Sequence, residues 1–220
     1  MAAADEATSQ ADAGYARYVL TILVAVYTLN FIDRQILSIL AEDVKRDLGL
    51  GDADLGFLYG TAFGVFYALF GIPLGRLADS WHRVRLITVG LALWSAMTAL
   101  SGFSRTGGQL AAARIGVGIG EATASPCAYS LLSDWFPRSQ RATALAVYSS
   151  GIYIGSGLSL FIGGAIVQNW NLAFPGGGPL GLVGWQAAFL AVGLPGLLLA
   201  LWVATLREPP RGLADGILTP

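Results

Sequence analysis

LITVGLALWSAMTALSGFS, residues 86–104, carries no charged side chain. Its length is about what an α-helix needs to cross the roughly 30 Å hydrocarbon core of a bilayer. Residues 55–75 form a second uncharged run, and no charge occurs anywhere from Ala142 to Leu206. That last stretch is too long for one helix. Asn169, Asn171, Pro175, three glycines and Pro179 supply turn chemistry between residues 168 and 184, which divides it into spans over 142–167 and 185–206. Two further apolar runs contain charges: residues 18–40 hold Asp33 and Arg34, and residues 110–132 hold Arg114 and Glu121. The reading is an all-α membrane protein with six transmembrane helices over residues 17–206. Residues 1–16 read as a flexible N-terminal lead and residues 207–220 as the start of a linker.

Composition supports this. The 220 residues are 55% hydrophobic and 12% charged, about half the charged fraction of a soluble domain. The net charge of -1, from 13 basic against 14 acidic residues, offers no electrostatic handle for nucleic acid. A single Cys and a single His argue against a disulfide framework, a metal site or a histidine-based triad. No span holds a constellation suited to chemistry, and no filter-like loop marks a channel. These features set aside a soluble enzyme, a nucleic-acid binder, a disordered chain, a membrane-embedded enzyme and a channel. The first sixteen residues hold Asp5, Glu6 and Asp12 and no basic residue, which does not fit a cleavable signal.

Basic residues in short loops set orientation. The N-terminus, loops two–three and four–five, and the tail carry Arg17, Arg76, Arg83, Arg85, Arg138, Arg141, Arg207 and Arg211, whereas the opposite loops carry only Lys45, Arg46 and Arg105. Both ends are therefore expected in the cytoplasm. Loop one–two, with Glu42, Asp43, Asp47, Asp52 and Asp54, then faces outward.

Ionisable groups inside a span cost roughly 2.5–3.5 kcal/mol each, so they are paired, hydrated or functional. At about 1.5 Å per residue, Asp33 lies roughly 24 Å from the cytoplasmic end, Arg114 roughly 28 Å and Glu121 roughly 18 Å. Helices one and four are thus expected to share a charged cluster in the outer half of the membrane. Desolvation favours a neutral acid and a neighbouring arginine favours the carboxylate, so Asp33 and Glu121 are candidates for proton coupling. Arg34 and Arg114 are candidates to hold either a carboxylate or an anionic substrate. Permanent Asp33–Arg114 or Arg34–Glu121 bridges are the structural alternative. Tyr27 and Asn30 share a face with Arg34 and are further candidate lining residues.

Gly75-Arg76-Leu77-Ala78-Asp79-Ser80-Trp81-His82-Arg83 resembles the loop signature of the major facilitator superfamily, G-x-L-A-D-R-x-G-R, with Ser80 and His82 departing from it. Arg114-Ile115-Gly116-Val117-Gly118-Ile119-Gly120-Glu121-Ala122 resembles the family's fourth helix. Asp134-Trp135-Phe136-Pro137 with Arg138 and Arg141 resembles its loop four–five. Gly151, Gly155, Gly163 and Gly164 resemble its fifth helix, with Ser156 where a Pro is often found. Asn30-Phe31-Ile32-Asp33-Arg34 together with Gly118-x-Gly120-Glu121-Ala122 is similar to the spinster branch, with Phe31 in place of a Tyr.

The resemblance implies the N-terminal bundle of a twelve-helix secondary transporter in the bacterial inner membrane, requiring a separate C-terminal six-helix half. It further implies lysolipid- or sphingolipid-type amphiphiles moved by proton-coupled alternating access, with the proton as coupling ion and no cofactor or metal. An organic-anion carrier of the same superfamily is the alternative. Gly75, Asp79, Arg83, Asp134 and Arg138 are expected as a cytoplasmic gate cluster, with simple positive-inside anchoring as the plainer reading. Gly116, Gly118 and Gly120 lack the strand and spacing of a dinucleotide fingerprint. The pairs Gly60/Gly64, Gly71/Gly75, Gly116/Gly120 and Gly151/Gly155 are read as tight helix contacts, and Pro73 and Pro126 as kinks.

Overall fold

The computed structural model describes residues 2–216, with side chains described from residue 13 onward, Tyr59 excepted. Its elements in order are α1 (Ala2–Ile39), α2 (Ala41–Leu48), α3 (Asp52–Gly56), a π-helical turn over Phe57–Thr61, α4 (Ala62–Ser80), α5 (Arg83–Ser101), α6 (Gly107–Glu121), α7 (Ala124–Trp135), α8 (Arg138–Ser149), α9 (Gly151–Ala173) and α10 (Gly184–Val203). Among the described residues no strand occurs. Five stretches are long and apolar enough to cross a membrane: Ala13–Ile39, Ala62–Ser80, Arg83–Ser101, Arg138–Ala173 and Gly184–Val203.

The remaining span, expected as one helix over 110–132, is two. α6 ends at Glu121 and α7 begins at Ala124. Pro126 has no N–H to offer the carbonyl of Ala122, four residues back, so that rung of the ladder is missing. Thr123 instead turns its hydroxyl onto the carbonyl of Gly120 at 2.9 Å, a local bond that competes with helix. Pro126 therefore sits in the first turn of α7, where a missing N–H costs nothing, rather than kinking a continuous helix. Pro73 does lie inside α4.

Three other boundaries differ from expectation. α1 runs back to Ala2 through the residues read as a flexible lead. α8 and α9 are joined through Ser150 alone, so span five starts at Arg138 rather than Ala142. Loop one–two folds into α2, a short helix that buries Val44 and ends on Gly49 in the left-handed region (φ 64°). Trp185 of α10 donates its Nε1–H to Asp47 of α2 at 2.9 Å, which docks α2 over one end of the bundle.

Glycines let several of these helices touch. A Cβ at Gly155 would lie 2.4 Å from the Thr28 carbonyl of α1, one at Gly118 2.7 Å from the Phe63 carbonyl of α4, and one at Gly120 2.8 Å from the Gly90 carbonyl of α5. The pairs Gly60/Gly64 and Gly71/Gly75, expected to serve the same purpose, meet nothing within 4 Å. They lie on helix faces that this bundle leaves open to lipid or to another helical unit, as do Leu69 and Ile72 of α4 and Tyr153 and Phe161 of α9. The core has two parts. One, around Leu23, Ile87, Leu91, Trp94 and Leu131, fills the end nearer the chain termini. The other, around Ile36, Val44, Leu110, Trp185 and Phe189, fills the end under α2. The charged residues of α1 and α6 lie between them.

Candidate functional site

Asp33 and Arg34 are consecutive on α1, so their side chains leave the helix about 100° apart. Asp33 turns toward α5 and is 1% exposed. The Thr98 hydroxyl lies 2.7 and 2.6 Å from its two oxygens, and Arg114 Nη2 of α6 stands 3.6 Å away. Arg34 turns toward α4 and α6. Its Nε donates to Glu121 Oε2 at 2.7 Å, and its guanidinium carbon lies 5.4, 5.0 and 4.7 Å from the ring centres of Phe31, Phe63 and Tyr67. Arginine suits such a place because its planar, weakly hydrated cation stacks on aromatic faces while its N–H edge meets a carboxylate.

Both bridges that the spacing allowed are thus present together, one per arginine. They are unequal. The Arg34–Glu121 contact is short. Arg114 shares one nitrogen among Asp33, Thr98 at 3.4 Å and Ser101 at 3.5 Å, and its guanidinium lies 5.3 Å from the Phe189 ring. Glu121 Oε1 and Arg114 Nε are buried without a hydrogen-bond partner among the described residues. An unmatched acceptor and an unmatched donor therefore sit on the same helix. Phe31, Arg34, Leu37, Phe63, Arg114 and Glu121 border a cleft of about 210 Å³. Leu37 also borders a second cleft of about 340 Å³, which is lined otherwise by Ser38, Ala41, Leu55 and Gly56 and is mainly apolar.

Tyr27 and Asn30 stand back from this cleft. Tyr27 stacks on Tyr148 at 4.3 Å and meets Phe31 edge-on at 5.1 Å, so it supports the aromatic wall from behind. Asn30 is 1% exposed, and its Nδ2 finds no partner among the described residues. Sequence reasoning missed Thr98 and the pairing of Phe63 and Tyr67 with Arg34. Hydroxyl residues are common in apolar spans, so Thr98 gave no signal. The aromatic run of span two goes around its helix, which hid the two rings that matter.

The residues expected as a gate do not form one cluster. Arg83, 1% exposed, pairs with Asp134 through Nη1, donates from the same nitrogen to Ser130 Oγ at 2.9 Å, from Nε to Glu208 Oε1 at 2.7 Å and from Nη2 to the Pro209 carbonyl at 2.7 Å. Glu208 also accepts the backbone N–H groups of Arg83 and Val84, at 3.2 and 2.8 Å. This places a carboxylate at the positive N-terminus of α5. Asp134 accepts the Gly212 N–H at 2.9 Å. Asp79, however, is exposed and has no ion pair among the described residues. Gly75 meets nothing either. Arg138 and Arg141 pair with Asp215 at 2.9 and 3.2 Å, and the Arg138 hydrogen bond holds the Asp215 carboxyl below its ordinary range. Glu208 and Asp215 were missed because residues 207–220 read as a passive linker.

Residues 23–217 match the Major Facilitator Superfamily. The chain belongs to that superfamily. It superposes with a TM-score of 0.86 and 37% identity on the crystal structure of a bacterial homologue of the human lysosomal transporter Spinster in an inward-facing, occupied conformation, over 91% of this chain and 46% of that one. It is 36% identical to an MFS-type efflux pump of Mycolicibacterium smegmatis, over 81% of this chain and 39% of the pump. It is 29% identical to a probable galactarate/D-glucarate transporter of Escherichia coli strain K12, over 91% of this chain and 45% of that transporter. The chain spans less than half the length of these relatives, consistent with the N-terminal half of a superfamily member. Those relatives are transporters rather than enzymes, and the chain is a multi-pass membrane protein.

Proposed function

We propose that this bundle is one half of a proton-coupled secondary transporter of anionic amphiphiles, with lysolipid- or sphingolipid-type molecules as the substrate class, in the bacterial inner membrane with the N-terminus cytoplasmic. One observation carries the reading. The Arg34–Glu121 pair, walled by Phe31, Phe63 and Tyr67, borders a charged cleft that shares Leu37 with a mainly apolar one. A charged headgroup and a hydrocarbon tail need that adjacency. While Glu121 is ionised it holds Arg34. Protonation cancels the ion pair, and Arg34 then has an empty edge for an anionic group. Asp33 and Arg114 form the second such pair, deeper and looser. Alternating access requires a second six-helix half rocking against this one around the site. The eight-to-three distribution of basic loop residues supports the orientation.

An organic-anion carrier is the second reading, favoured by the kinship to a sugar-acid transporter and by the fit of arginine to carboxylate. Counterflow in proteoliposomes of the full-length transporter separates the two. Lysophospholipid is expected to exchange and a small dicarboxylate not, and the reverse result overturns the amphiphile reading. Glu121→Gln is expected to flatten the pH dependence of gradient-driven uptake. An unchanged pH profile removes Glu121 from the coupling role.

A further inference from the structure

Thr98 is fully buried in the last turn of α5 and faces α1 and α6 at once. A threonine hydroxyl has one proton to give and two lone pairs to receive. Here it lies within hydrogen-bond distance of both Asp33 oxygens, and Arg114 Nη2 points at it from the other side at 3.4 Å. The direct Arg114–Asp33 separation, 3.6 Å, is longer than either leg through Thr98. The hydroxyl is therefore the better-made connection between acid and base.

With Asp33 ionised, Thr98 gives its proton to one carboxylate oxygen and keeps its lone pairs for Arg114. With Asp33 protonated, the second oxygen carries a proton that can go only to an acceptor, and the Thr98 oxygen lies 2.6 or 2.7 Å away. The new bond takes one of the hydroxyl's two lone pairs and turns the hydroxyl from the orientation that met Arg114, and the charge that held Arg114 is gone. Arg114 is left with weak holds, a 3.5 Å contact to Ser101, the Phe189 ring and whatever the turned Thr98 hydroxyl still offers, and its Nε is already unpaired beside the cleft. The charged groups facing Asp33 are Arg114 and Glu121 of α6 and Arg34 of its own helix. α5 contributes only the hydroxyls of Thr98 and Ser101, and α10 contributes the Phe189 ring.

We propose that Thr98 is a positioning residue of the transport cycle, whose hydroxyl passes a change in the proton on Asp33 to Arg114. This rests on the proton-coupled reading above. The test uses the full-length transporter in proteoliposomes, with a fluorescent lysophospholipid as probe. Thr98→Val keeps the shape and removes the hydroxyl, Thr98→Ala removes it without crowding, and Thr98→Ser retains it.

Equilibrium exchange, which needs no net proton movement, is expected within about twofold of the parent for all three variants. Proton-gradient-driven uptake is expected to fall at least fivefold in the Val and Ala variants, with the pH profile displaced by about one unit, a tenfold change in proton binding. Thr98→Ser is expected to restore both. Val or Ala profiles that superimpose on the parent overturn the proposal, as does a fall in exchange and driven uptake by the same factor, which marks a structural role. If Thr98→Val fails to fold, Thr98→Ala carries the comparison. A parent that exchanges the probe but ignores the proton gradient overturns the proton-coupled reading itself, and this proposal with it.

Discussion

Two buried arginines, Arg83 and Arg114, sit in the same fold under opposite conditions. Arg83 meets two carboxylates, a hydroxyl and a carbonyl, three of these contacts at 2.7–2.9 Å, and its acidic partners in turn cap backbone N–H groups. Arg114 spreads one nitrogen over three partners at 3.4–3.6 Å, keeps Nε unpaired and borders a cleft. Saturation makes the first a fastening that nothing small can displace. Under-coordination makes the second a group that a proton or an anionic ligand can redirect. The difference separates what must hold from what must change partners.

The largest expected effect breaks the fastening. Arg83→Ala leaves Asp134 and Glu208 without their cation and should lower unfolding free energy by about 3–5 kcal/mol, read as a fall in the thermal unfolding midpoint of the purified transporter. A loss under about 1 kcal/mol would mean that the pair counts for no more than a surface bridge. Next comes the changeable cluster. Arg34→Lys keeps the charge but loses the planar stack on Phe31, Phe63 and Tyr67, and should weaken probe affinity about tenfold, roughly 1.4 kcal/mol, with little change in stability. Equal losses in both would merge the two classes. Ser101→Ala removes one of Arg114's long contacts and should cost less than about 1 kcal/mol in the same unfolding assay. A larger loss would show that Arg114 is held more firmly than its distances imply.

The smallest effect is at Asp215. Its folded carboxyl titrates below its ordinary value of 3.8, so the stabilisation it draws from Arg138 is fully present above that value and is lost as pH falls through the depressed one. Protection against amide exchange in the turn Leu213–Asp215, relative to the intrinsic rate, should fall as pH drops below the ordinary carboxylate value, and Asp215→Asn should abolish that step.

How much of this was legible beforehand follows from the physics of each signal. Uncharged runs of bilayer length stand out whatever packs beside them, so the six spans could be read. Charges within spans are equally conspicuous, and a rise of 1.5 Å per residue brought Asp33 and Arg34 level with the two α6 charges. The break at Ala122–Thr123 was hidden because it depends on where Pro126 falls relative to one carbonyl. The π-helical turn at Phe57–Thr61, which directs Leu58 into the cleft, has no sequence mark at all. Asp79 was read with Arg83 because both belong to one short motif. Four residues nonetheless carry them from the open face of α4 to the buried start of α5. Glu208 was overlooked for the reverse reason, since its partner lies far away in the chain.

That distance has a consequence in time. Glu208 lies 125 residues beyond Arg83, and ribosomes add roughly 5–20 residues per second. For roughly 6–25 s of every round of synthesis the third span therefore exists without the carboxylate that crowns it. Whatever shields that arginine during the interval, water or lipid phosphate or the insertion machinery, must let go once the sixth span has emerged.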